Sequence, residues 1–123
     1  VVKIPSEYSG LIDFLRVTYQ LCRAKPKIDF IRACDVLKAR EEAALSAYVE
    51  TLVRGLPAAL ERGIAFRAPG CEEMSFDEAW LLRAIQSQIS QDKNSLAFLL
   101  NSRVKPAACP HLMFLIKKIS LCL

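Results

Sequence analysis

The chain has 123 residues, of which 53% are hydrophobic and 24% charged, and it contains only 4 Gly and 6 Pro. This length matches one domain, and this composition excludes a disordered tail, a collagen-like chain and a low-complexity linker. The net charge of +4 is unevenly distributed: residues 1–40 sum to +4, residues 41–80 to −5 and residues 81–123 to +5. A dedicated DNA-binding protein usually carries a denser basic stripe than this.

The first predicted element is an amphipathic helix that follows Pro5. Its apolar residues recur at spacings of three and four, as one face of a helix requires. They are Tyr8, Ile12, Leu15, Tyr19 and Cys22. Ser6 or Ser9 is placed to cap the N-terminus. The pair Lys25-Pro26 ends the helix, because the residue before a proline avoids helical geometry.

Residues 28–54 carry two apolar stripes, separated by a polar but strongly helix-forming run at 38–43. We predict one long helix that is solvated at its middle; the alternative is two shorter helices separated by a kink. An interruption is predicted after residue 54, where glycine and proline stand close together. A short helix over residues 57–62 should follow, with Gly63 at its C-terminal cap.

The clearest local signal is the helix start at residue 75. Ser75 and Glu78 match a capping box, in which the serine hydroxyl and the glutamate carboxylate satisfy two N–H groups of the first turn. We expect Trp80, on the same helix, to lie in the core rather than to serve as a ligand platform. Asp92 or Asn94 should begin the next helix.

Pro110 should begin a final helix that continues through Ile119. No strand of useful length is predicted. The sequence therefore predicts an all-α fold, a single compact bundle of five or six helices that occupies residues 1–123. The missing initiator methionine indicates that these residues are part of a slightly longer chain.

The five cysteines show no close pairing. An odd number without close spacing argues against a complete disulfide framework, so we expect reduced thiols and a cytoplasmic location. The chain begins without a long apolar run, so no signal peptide is recognised. The most apolar stretch, residues 112–123, is shorter than the ~20 residues that span a membrane, so no membrane association is expected.

The only histidine, His111, limits the catalytic arrangements. Cys109 could join it as a nucleophile–base dyad, but no third, orienting residue stands nearby in the sequence. A metal site could combine both residues with Cys71 and one of Glu72 and Glu73, although this spacing matches no recognised zinc-ligand pattern. We assign no catalytic, cofactor-binding or metal-binding residue and expect no cofactor.

Residues 64–74 form the longest segment without helical periodicity. Loops carry function more readily than packed helices do, so a ligand site would be sought here. Its side chains would be Arg67, Cys71 and Glu72, facing His111. The interpretation that we favour is a plain connector whose Phe66 packs into the core.

Two clusters of basic residues lie near predicted helix ends. Arg23, Lys25 and Lys27 form a candidate anion-binding cluster at the first interhelical turn. The second cluster consists of Arg103, Lys105, Lys117 and Lys118. These basic helix ends support an alternative function, that of a nucleic-acid-associated regulator.

The preferred function is that of a protein-interaction or regulatory domain without catalytic activity. The last helix offers more apolar surface than one face of a bundle needs, and such a surplus commonly marks an interface. The candidate interface residues are Phe114, Leu115, Ile116 and Ile119. We therefore predict a protein partner, and specifically a homodimer formed through helix faces. A small enzyme or metal site formed by residues 64–74 and His111 is the third hypothesis.

Overall fold

Six α-helices make up most of the computed structural model, which describes residues 2–40 and 42–123. They are α1 (Ser9–Cys22), α2 (Phe30–Lys38), α3 (Leu45–Ala59), α4 (Phe76–Ile89), α5 (Lys93–Arg103) and α6 (Cys109–Leu121). Short 3₁₀ turns at Ser6–Tyr8 and Pro106–Ala108 precede α1 and α6. The predicted all-α bundle is confirmed. Across the described ranges, every helix is too short or too polar to cross a membrane.

Helices α3 and α6 form the centre of the bundle. Helix α3 packs against α1, α2 and α6. Helix α6 also contacts α2 and α4, and α4 packs against α5. One hydrophobic cluster fills the space between these helices. Its completely buried side chains include Leu52, Leu56, Ile85, Leu112 and Ile116. Burying each such side chain stabilises the fold by about 1.5–3 kcal/mol.

A two-residue strand near the N-terminus ties the chain to the segment before α4. Strand β1 (Val2–Lys3) pairs antiparallel with β2 (Glu73–Met74), so that Val2 lies opposite Met74. The Ile4 N–H extends this pairing by donating to the Glu72 carbonyl at 3.0 Å. The sequence did not predict these strands, because two residues are too few to show an alternating pattern.

The prediction of one long helix over residues 28–54 is wrong. Helix α2, capped by Asp29, ends at Lys38, and α3 begins at Leu45. The polar run between them offers only alanines to a core, so a continuous helix would bury little there, whereas a turn lets α2 pack against α3. Glu41, in this run, lies outside the described residues.

The predicted break after residue 54 and the short helix over 57–62 are also wrong. Helix α3 continues through Pro57 to Ala59. Pro57 removes one backbone hydrogen bond, but only in the last turn of the helix. Leu56 and Ala59 are 0% and 1% exposed, and the burial of such side chains in the same turn keeps the chain helical.

The capping box of α4 is confirmed, whereas the predicted cap of α1 is wrong. The Ser75 hydroxyl accepts from the Glu78 N–H at 3.0 Å, and the Glu78 carboxylate accepts from the Ser75 N–H at 2.9 Å. Neither Ser6 nor Ser9 caps α1. Its N-cap is Tyr8, which makes no side-chain hydrogen bond, because the 3₁₀ turn leads directly into the helix.

Helices α2 and α3 come very close together at Gly55. A Cβ added there would overlap the ring of Phe30, at 2.6 Å from Cε1 and 2.8 Å from Cγ. Phe30 is only 5% exposed, so its ring has no open space to move into. Glycine is therefore required by packing at this position, although it is a poor helix former.

We predict that Gly55→Ala lowers the free energy of unfolding by about 1–3 kcal/mol, the usual effect of overpacking a core. This loss should occur although alanine favours helix over glycine by about 1 kcal/mol. The matched control is Gly10→Ala in α1, where an added Cβ meets nothing within 4 Å. Chemical denaturation measures both variants, and a Gly55→Ala chain as stable as the control would contradict the close approach.

Candidate functional site

A buried ion pair joins α1 to α4. The side chains of Arg16 and Glu78 are 0% and 1% exposed. Arg16 Nε donates to Glu78 Oε2 at 2.7 Å and Nη2 donates to Oε1 at 3.0 Å, so the pair is bidentate. The hydrogen bond to Glu78 is the main cause that raises the pKa of Arg16, against the opposing effect of burial. The guanidinium therefore stays charged inside the core.

The same guanidinium organises the loop of residues 64–74. Its remaining N–H groups donate to three carbonyls of this loop. These are the carbonyls of Ala68, Cys71 and Glu73, at 3.3, 2.6 and 2.9 Å. All five N–H groups of Arg16 thus have acceptors. Glu78 Oε2 completes the network by accepting from the Arg67 N–H at 3.2 Å.

An aromatic contact fixes the beginning of this loop. The rings of Phe66 and Tyr19 lie with their centroids 4.8 Å apart, tilted by 39°. Phe66 packs against the hydrophobic core, as the connector interpretation predicted. The loop is therefore held on α1 by an aromatic pair and a buried arginine, and its backbone serves the fold.

The structure does not assemble the predicted dyad or metal site. Cys109 Sγ lies 3.8 Å from Asn101 Oδ1, and burial raises the pKa of the Cys109 thiol, which opposes formation of a thiolate. His111 Nδ1 accepts from Lys38 Nζ at 3.2 Å, so the imidazole faces α2, whereas the Cys71 carbonyl is bound to α1. Within residues 2–40 and 42–123, no group of three or more His, Cys, Asp and Glu side chains is placed to hold a metal ion.

The predicted interface residues of the last helix lie inside the bundle. Leu115, Ile116 and Ile119 are each 0% exposed, and the half-buried Phe114 has its ring centroid 6.1 Å from that of Tyr48. Because α6 is central, α2, α3 and α4 cover the apolar surplus that the sequence indicated. A partner of the folded chain therefore cannot reach Leu115, Ile116 and Ile119.

The predicted anion-binding residues line one cleft between the α1–α2 connection and α3. Arg23, Lys25 and Lys27 border a space of about 360 Å³ together with Arg54. Glu50 already partners two of these cations, since its carboxylate lies 3.2 Å from Lys25 Nζ and 3.1 Å from Arg54 Nη1. The structure thus groups the three residues, and anion binding by them stays a prediction.

A larger groove of about 920 Å³ lies between the start of α4, the end of α5 and the N-terminal strand. Its apolar lining includes Val2, Pro5, Met74, Phe76, Trp80 and Leu99. Phe76 is 95% exposed. Trp80, one turn later, is only 7% exposed because α5 covers it, and its indole N–H donates to the Leu99 carbonyl at 2.8 Å. The prediction that Trp80 lies in the core is confirmed.

Four arginines border this groove. They are Arg62, Arg67, Arg83 and Arg103. Arg103 lies with Cζ 4.9 Å from the centroid of the Trp80 ring and is ion-paired with Asp77, the only carboxylate among the lining residues. The other three are exposed, and none forms an ion pair with a carboxylate of residues 2–40 or 42–123. The groove therefore combines unneutralised positive charge with an apolar floor.

A second groove continues this surface along α4 and α5. It measures about 660 Å³ and shares Arg83, Gln86 and Leu99 with the first. Phe98 borders it and is 74% exposed. We call the two grooves, with the rings of Phe76 and Phe98, the α4–α5 face.

The α4–α5 face was missed in the sequence. The sum of −5 over residues 41–80 concealed Arg62 and Arg67, because such a sum does not show which acids pair with bases elsewhere in the fold, as Glu78 does with Arg16. No local signal marked Phe76 as exposed, because Trp80 has the same spacing from the buried Glu78 on its other side and is itself buried.

Comparisons of the chain with protein-family models, curated proteins and solved structures find no match. We therefore base the functional assignment on the geometry of the α4–α5 face.

We predict that Glu78→Gln lowers the free energy of unfolding by about 3–5 kcal/mol, because it leaves the Arg16 charge buried without its counter-ion. The control is Lys25→Gln, which removes an ion pair whose side chains are 47% and 40% exposed. That change should cost less than about 1 kcal/mol. Equal denaturation midpoints for the two variants would contradict the structural importance of the buried pair.

A weaker, pH-dependent contribution comes from Glu50. Hydrogen bonds, first from Lys25 and then from Arg54, lower the pKa of Glu50 from its ordinary value of 4.5. A carboxyl group whose pKa is lower in the folded state stabilises the fold above pH 4.5, and this stabilisation is lost as the pH falls through the folded-state pKa.

We therefore predict that Glu50→Gln is less stable than the unmodified chain at neutral pH, by less than about 1 kcal/mol. The difference should close below pH 4.5. Denaturation midpoints measured across this range test the prediction, with Glu7→Gln as the control at an exposed carboxylate without an ion pair among the described residues. A difference that persists at low pH would contradict it.

Proposed function

We propose that the chain is a non-catalytic protein-interaction domain and that the α4–α5 face is its binding surface. The observation that carries this proposal is the exposure of two phenyl rings on one continuous face, Phe76 at 95% and Phe98 at 74%. Covering one such ring is worth about 1.5–3 kcal/mol. A partner that packs on both rings therefore gains a large part of the free energy of a stable complex.

The position of α5 supports this assignment. Its buried side chains are Leu96 and Leu100. They face α4, and Phe98 lies between them in sequence, on the outward side of the helix. Aromatic residues are enriched among the side chains that dominate the free energy of protein interfaces. The outer side of α5 thus carries the kind of exposed aromatic residue that is typical of a protein-binding surface.

Self-association stays part of the proposal, but through a different surface from the one predicted. The apolar residues of α6 stabilise the bundle itself, so a second copy would have to bind elsewhere. The α4–α5 face offers two exposed aromatic rings beside open grooves. A homodimer formed there would need no rearrangement of the core.

We predict that a photocrosslinking residue, p-benzoylphenylalanine, forms protein adducts in the source cells when it replaces Phe98. The control places the same residue at Leu21, which is 72% exposed on α1 and lines neither groove. The mass of the adduct distinguishes a second copy from another protein, and sedimentation of the purified chain checks the homodimer. Equal adduct formation at both positions, or none at residue 98, would contradict the proposed surface.

A further inference from the structure

The first groove of the α4–α5 face has an uncompensated charge. Arg62 and Arg67, from the connection between α3 and α4, and Arg83, from α4, line one space of about 920 Å³. Their guanidinium groups have no carboxylate partner among the described residues, because the only acid in the lining, Asp77, is paired with Arg103. An arginine fork binds a carboxylate through two parallel hydrogen bonds, which gives direction as well as attraction.

The floor of the groove supplies a second kind of contact. Phe76 is 95% exposed and Leu99 is half-buried, and the small exposed edges of Trp80 and Met74 complete the apolar lining. Such a floor accommodates an aliphatic or aromatic side chain, whose burial supplies most of the affinity in peptide-binding grooves. The groove thus combines positive charge with apolar surface, and its volume of about 920 Å³ fits a short peptide segment.

The geometry points to an acidic peptide segment as the ligand of this groove, one that carries an apolar anchor residue between Asp or Glu side chains. The anchor packs on Phe76 and Leu99, and the carboxylates pair with Arg62, Arg67 and Arg83. This inference rests on the proposed function and specifies its partner. Charge complementarity then determines which partner binds, and the anchor provides the affinity.

A nucleic acid fits the same groove less well. Binding to a phosphate backbone is favoured by a basic stripe that follows the strand, whereas these arginines surround a pit with an apolar floor. The four basic residues in the lining are all arginine, and no lysine is among them. Arginine pairs bidentately with carboxylates and phosphates alike, so the apolar floor, and not the choice of arginine, favours the peptide.

The test begins with a displayed library of random peptides, selected against the purified chain. We expect the enriched peptides to carry several Asp or Glu residues around an aromatic or aliphatic residue. The best peptide is then synthesised in acidic form and with every Asp and Glu replaced by Asn and Gln. Fluorescence anisotropy should show binding of the acidic form, weakening with added salt, and little binding of the amide form.

The matched variants are Arg62→Gln/Arg67→Gln/Arg83→Gln in the groove and Arg32→Gln/Arg40→Gln/Lys93→Gln outside it, which remove the same charge from exposed side chains that line neither groove. The groove variant should bind the acidic peptide at least about tenfold more weakly, because it loses the binding free energy of several exposed ion pairs. The control variant should stay within about twofold of the unmodified chain. Circular dichroism and thermal melting confirm that both variants fold.

The other outcomes separate this inference from the proposed function. Enriched peptides that are uncharged, or that bind both triple variants equally, would overturn the acidic ligand and leave the interaction domain standing. If no peptide is enriched but adducts still form at position 98, the acidic ligand is likewise overturned and the interaction domain still stands. No enriched peptide and no adduct would overturn both. An oligonucleotide that binds the chain more tightly than any peptide, and is lost only in the groove variant, would replace the peptide with a nucleic acid.

Discussion

The ion pair between Arg16 and Glu78 is the constraint on which this end of the molecule depends. Removing two charges from water is costly, and the cost is offset only when every hydrogen-bonding group finds a partner. Here the partners are the two side chains themselves and the backbone of residues 64–74. The loop consequently has one well-determined course, and α4 begins at one place and in one orientation. Phe76 is the first residue of α4, and its ring is 95% exposed.

The features that were predicted correctly depend on residues that lie close together in the sequence. The helical periodicity of α1, the Ser75–Glu78 capping box and the burial of Trp80 follow from residues within a few turns of one another. The errors arose where tertiary packing outweighed local preference. Pro57 stays helical because its turn is buried, and the polar run after Lys38 leaves the helix because it has little apolar surface to bury.

The candidate site was unpredictable for a related reason. A sequence shows how many acids and bases a segment contains, but not which of them neutralise each other across the fold. Glu78 is partnered by Arg16, 62 positions away, and this pairing removes it from the balance of charge at the surface. Arg62, Arg67 and Arg83 form a candidate site only because the bundle places them around one groove. Likewise the apolar surplus of α6 looked like an interface, since its central position cannot be read from its own residues.

The long separation of the buried pair also has a consequence for the order of folding. Contacts between neighbours in sequence, such as α2 with α3 and α4 with α5, close short loops and can form early. The pair Arg16–Glu78 must wait until α1 and α4 have met, and until then the guanidinium keeps its water. The loop of residues 64–74 is therefore expected to order late, and the groove beside it is completed only when the rest of the bundle is already in place.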